Sequence, residues 1–62
     1  MNIDKIKHIL SSAVFDHISG LNREQLEAQK STLVADMELI ENSSPLHYSR
    51  TVELYYINLR LS

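Results

Sequence analysis

The stretch from Leu46 to Ser62 carries more apolar side chains than one helix face can hold, and this limits what the chain can become. Wound at about 100° per residue, it divides into two stripes. Tyr48, Val52, Tyr55, Tyr56 and Leu59 form one, and Leu46, Leu54, Ile57 and Leu61 form the other. Ser49, Glu53 and Arg60 separate the stripes along one seam, and His47, Thr51 and Asn58 along the other. A surface helix normally buries a single stripe against its own core. A helix with two stripes must bury two faces, which a chain of 62 residues can hardly do alone. The expectation is a partner interface built from these nine residues, one stripe packing inward and the other meeting a partner protein, with a second copy of the chain as the natural candidate.

Composition narrows the remaining possibilities. Small domains commonly reinforce a thin core with disulfides, a metal or an oligomer interface. There is no Cys, which excludes disulfides and thiolate metal sites and leaves the interface. The formal net charge of −2 argues against a general nucleic-acid binder, whose domain usually carries a strong positive excess. No apolar run approaches the ~20 residues of a membrane span. Met1-Asn2-Ile3-Asp4 does not open a secretory signal, so a cytoplasmic location is expected. With 44% hydrophobic residues, one Gly and one Pro, the composition is that of a folded chain.

Gly20 and Pro45 are the strong breakers and cut the chain into three segments, each reading as a helix. The predicted fold is a single all-α domain with helices at about 3–18, 23–41 and 45–61. In the first, Ile3, Ile6, Ile9, Leu10, Ala13, Val14 and Ile18 share half of the wheel. Asn2 suits the N-cap, Asp4 the first turn, and Gly20 a left-handed stop. Phe15 lies off the stripe and is expected to fold over the helix end onto the next segment, with partner contact as the alternative.

The second segment opens on Leu21-Asn22-Arg23-Glu24-Gln25-Leu26, a capping box in which Asn22 and Gln25 satisfy each other's backbone N–H and Leu21 and Leu26 form the hydrophobic staple. Leu26, Leu33, Val34, Met37 and Ile40 make its stripe, interrupted by Lys30, and Ala28, Ala35 and Leu39 a narrower second one. Glu24, Glu27, Asp36, Glu38 and Glu41 collect on this helix, either as a solvated face or as a dock for a basic partner. Ser44 and Pro45 then read as N-cap and N1 of the third helix. The short connection makes the second and third helices antiparallel neighbours, a helical hairpin. One rival remains: Tyr55, Ile57, Leu59 and Leu61 alternate with Tyr56, Asn58 and Arg60 in a strand pattern that would need pairing across a dimer.

Catalytic chemistry is not legible. His8 and His17, nine residues apart, fall on opposite sides of a helix, and no paired metal-ligand spacing such as HExxH occurs. Asp16 and His17 are neighbours that diverge by about 100° on a helix and make no dyad. There is no nucleophile elbow or phosphate-binding loop, and a helical chain this small has little room for an enclosed pocket. A non-catalytic protein without metal, cofactor or small-molecule substrate is expected.

With Gly20 as turn glycine, Leu21, Asn22 and Leu26 resemble the helix-turn-helix of phage repressors, in which the second helix enters the major groove. That resemblance implies a DNA-binding regulator. Asp16 stands where the pattern takes a small Ala, Gln29 where it takes an apolar residue, and the recognition face would show Arg23, Glu24, Glu27 and Ala28. In layout the predicted hairpin is similar to the small helical chaperones and needle subunits of type III secretion. In size and helical economy the chain resembles accessory and regulatory proteins of bacteriophages and plasmids, which implies a cytoplasmic regulator acting through protein–protein contact.

Overall fold

The computed structural model describes residues 2–62. They form four α-helices and no strand: α1 (Ile3–Ile9), α2 (Ser12–Ser19), α3 (Arg23–Glu38) and α4 (Pro45–Leu61). The strand alternative for the end of the chain is thereby overturned. The expected count of three helices is also corrected, because the first predicted helix is two.

The break falls at Leu10 and Ser11, both extended, with ψ of 147° and 154°. The Ser11 hydroxyl accepts the Val14 N–H at 3.3 Å, and so caps a new helix where the old one could have continued. Its physical consequence is a change of facing direction. α1 turns Ile6, Ile9 and Leu10 inward, whereas α2 turns Val14, Phe15 and Ile18 inward, and all six join one core. A straight helix over 3–18 would point Phe15 away from Ile6. Ala13, counted in the straight stripe, is exposed, and so is Ile3.

Other local signals act as expected. The Asn2 side chain accepts the Lys5 N–H at 2.8 Å. The Asn22–Gln25 capping box is complete, at 2.8 and 3.0 Å. Ser44 caps α4 through the Leu46 N–H at 3.2 Å, with Pro45 in its first turn. α3 stops at Glu38, short of the expected 41. Glu38 and Glu41 oppose the negative end of the helix dipole, and no basic residue in the last turn offsets them. The chain instead closes a turn from Glu41 to Ser44, whose N–H reaches the Glu41 carbonyl at 3.0 Å.

Gly20 is not left-handed. Its φ of −91° and ψ of −3° are open to any residue. A Cβ there would meet only the Asp16 and His17 carbonyl oxygens, at 3.6 and 3.7 Å. Gly20→Ala is therefore expected to stabilise the fold by about 0.5 kcal/mol, because it narrows the unfolded ensemble and the folded chain has room. A thermal melt should rise by a few degrees; a fall would show that this turn needs glycine after all.

α1, α2 and α3 all pack against α4, α3 most extensively. The core consists of Ile6, Leu10, Ile18, Leu26, Leu33, Val52, Tyr56 and Ile57. On α3, Leu26 and Leu33 are buried and Met37 half-buried, but Val34, Ala28 and Ala35 are exposed; just beyond the helix, Leu39 is exposed and Ile40 half-buried. None of the helices is long and apolar enough to cross a membrane.

Candidate interaction surface on the last helix

Helices on several sides of α4 give it an inward arc wider than either apolar stripe. Val52, Glu53, Tyr56 and Ile57 are buried, and Ser49, Arg50, Leu54 and Leu61 are half-buried. The centre of this arc is the seam at Glu53, so the two stripes do not divide into one inner and one outer face. Each gives its inner edge to the core: Val52 and Tyr56 from one stripe, Ile57 with the half-buried Leu54 and Leu61 from the other. Of the nine candidate interface residues, Tyr48, Tyr55, Leu59 and Leu46 remain exposed, at 52%, 41%, 41% and 50%. Tyr48, Tyr55 and Leu59 share the outer side of α4. Leu46, in its first turn, lies at the same end of the helix as the connection that carries Leu39, 88% exposed.

An aromatic stack and three polar contacts hold α4 in place. The Tyr56 ring stacks on Phe15 with centroids 4.8 Å apart and planes 6° from parallel. Phe15 thus packs on the last helix, within a core that also includes Leu26 and Leu33 of α3, and the Lys7 ammonium lies 5.6 Å from its ring centroid. The Tyr56 hydroxyl meets the Ser19 hydroxyl at 2.7 Å. Ser19 spends its one hydrogen on the Phe15 carbonyl at 2.8 Å, so Tyr56 is the donor in that contact. Farther toward the middle, Arg50 Nη1 donates to Glu53 Oε2 at 2.8 Å. This pair and the buried position of Glu53 carry little sequence signal beyond their i, i+3 spacing. At the end of α4, Arg60 Nη2 donates to the Leu21 carbonyl at 3.3 Å, which places the last turn of α4 beside the turn that opens α3.

The residues with catalytic or ligating chemistry are not gathered. His8 and His17 are exposed on separate helices, and His47 is half-buried near the start of α4. Among the described residues, no three His, Asp or Glu side chains converge as a metal site. Glu24, Glu27, Asp36, Glu38 and Glu41 are all exposed along α3 and beyond it, with Glu27 3.9 Å from Arg23. An exposed pair of this kind contributes little to stability. The helix–turn–helix resemblance keeps its spacing in α2, the turn at 20–22 and α3, but the second of these helices presents carboxylates to any approaching phosphate. Comparison with protein-family models, with curated proteins and with solved structures finds no match to this chain.

Proposed function

We propose that this chain is a small, non-catalytic regulatory or adaptor protein of the cytoplasm, which acts by laying the outer side of α4 against a protein partner. The observation that carries this reading is the exposure of Tyr48 and Leu59, at 52% and 41%, on the helix against which the other three pack. Tyrosine suits such a surface because it combines apolar area with a hydroxyl that tolerates water. The rigid backing matters equally: a ribbon held by buried neighbours presents its side chains with little ordering cost on binding. We read α3 and α4 as an antiparallel hairpin, supported by the Arg60–Leu21 hydrogen bond. Size and helical economy suit the accessory proteins that bacteriophages and plasmids encode.

A photoreactive residue at Tyr48, introduced in the source cell, tests the reading against the same residue at Glu27, exposed on α3. Discrete protein adducts are expected at position 48 and not at 27. Absence of adducts at both, or equal labelling at both, would overturn the assignment of α4 as the working surface.

A further inference from the structure

We propose that Asn42 is a site of spontaneous deamidation, through which the connection between α3 and α4 gains a carboxylate and, in part of the product, an additional main-chain carbon. The reaction belongs to the chain itself and is independent of any partner on α4. It needs an asparagine side-chain carbonyl that is free to swing. It also needs a following backbone nitrogen that is free to attack, and a small side chain on that following residue. The sequence has four asparagines, and one of them meets all three conditions.

Asn2 and Asn22 fail on the first. Each holds its side-chain oxygen on a backbone N–H three residues ahead, that of Lys5 at 2.8 Å and that of Gln25 at 2.8 Å, the hydrogen bonds that start α1 and α3. The residues after them, Ile3 and Arg23, are also large, and the branch at the Ile3 Cβ crowds its own nitrogen. Asn58 lies within α4, where the nitrogen of Leu59 is tied into the helical ladder. Asn42 differs in every respect. It is exposed, outside every helix, and followed by the small, exposed Ser43. Among the described residues neither its side chain nor the Ser43 N–H takes part in a hydrogen bond. The turn itself leaves them so: the Ser44 N–H reaches back to the Glu41 carbonyl at 3.0 Å and passes over both central residues.

The chemistry balances with water alone. The Ser43 nitrogen gives up its proton and bonds to the Asn42 Cγ; the bond from Cγ to Nδ2 breaks, and ammonia departs with the proton. Water then opens the cyclic imide at either of its carbonyls. Opening at Cγ leaves aspartate on an unaltered main chain. Opening at the Asn42 main-chain carbonyl leaves isoaspartate, whose main chain runs through Cβ and Cγ. Both products add a negative charge to a chain of net −2, beside Glu41 and just past the end of α3, where the helix dipole is already negative. Isoaspartate also widens the Glu41–Ser44 turn by one carbon. Ser44 closes that turn and caps α4 through the Leu46 N–H at 3.2 Å, so the change reaches the start of α4.

The full chain, kept in mildly alkaline buffer and sampled over weeks, is digested and mapped by mass spectrometry. Exchange of NH2 for OH is expected at Asn42 ahead of Asn2, Asn22 and Asn58. Its rate should rise roughly tenfold for each pH unit, as for any reaction through a deprotonated group far below its pKa. Ser43→Val keeps Asn42 but crowds the attacking nitrogen, and should slow the exchange severalfold. Asn42→Gln should remove it from this position. The isoaspartate product, isolated by chromatography, should melt below Asn42→Asp, which carries the same charge on an unaltered main chain. No exchange, faster exchange at any of the other three asparagines, or unslowed exchange in Ser43→Val overturns the assignment. Equal melting of the isoaspartate product and Asn42→Asp overturns the link between this turn and the start of α4.

Discussion

Ile57→Ala is expected to cost about 3 kcal/mol and Leu59→Ala less than about 1 kcal/mol, although the two residues lie two apart on one helix. Ile57 is fully buried, in one cluster with Ile6, Ile18, Leu26 and Leu33, and deleting three of its carbons leaves a cavity that four short helices can close only in part. Leu59 loses only a half-exposed contact. For a chain this size, total stability is roughly 3–9 kcal/mol, so the first change removes a large share of it. A thermal melt should shift down by at least ~12 °C, or the variant should be partly unfolded at room temperature. The comparison, made at low micromolar protein so that self-association does not contribute, also discriminates between helix and strand. On a helix the two positions point about 200° apart; on a strand they would share a face and cost alike. Equal losses would overturn the burial pattern on which the interaction surface rests.

What the sequence revealed of this fold was the part written within three or four residues. The Asn2 cap, the Asn22–Gln25 box and the Ser44–Pro45 start are self-contained hydrogen-bonding units, and each is found where its residues place it. Ser11 is a signal of the same kind, but the periodicity from Ile3 to Ile18 conceals it. Two short helices with apolar residues at helical spacing imitate one long helix when the turn between them keeps approximate phase. The orientation of α4 was not legible, because no local rule decides it. Which edge of each stripe is covered depends on the other three helices, and the contacts that fix it are distant in sequence: Ser19 with Tyr56, 37 residues apart, and Leu21 with Arg60, 39 apart. Two apolar stripes therefore did announce a helix with more apolar surface than one face needs, but burial and exposure are divided within each stripe and not between them.

The position of Glu53 leads to the second large effect. A carboxylate only 5% exposed at the centre of the arc that three helices cover depends on Arg50 for compensation. Arg50→Ala would leave that charge in the core with its nearest cation gone. Loss of one partner of a fully buried pair costs about 3–5 kcal/mol. The Arg50 side chain is 35% exposed, so water enters where it leaves, and about 2 kcal/mol is the expected loss. Replacing both residues gives a different result. Arg50→Ala combined with Glu53→Met removes the charge together with its compensation and puts an adaptable apolar side chain in the carboxylate's place. This double variant should lie within about 1 kcal/mol of the parent, and so above the Arg50→Ala single variant. Urea unfolding of the four proteins closes a double-mutant cycle, and a coupling energy above ~1 kcal/mol is expected. If Arg50→Ala and the double variant unfold at the same urea concentration, the carboxylate is not what makes the single change costly. The pair would then be packing and not compensation. If the cycle closes as expected, Arg50 at the water's edge is what makes the buried Glu53 carboxylate tolerable, while the rotational setting of α4 rests on the burial of Val52, Tyr56 and Ile57.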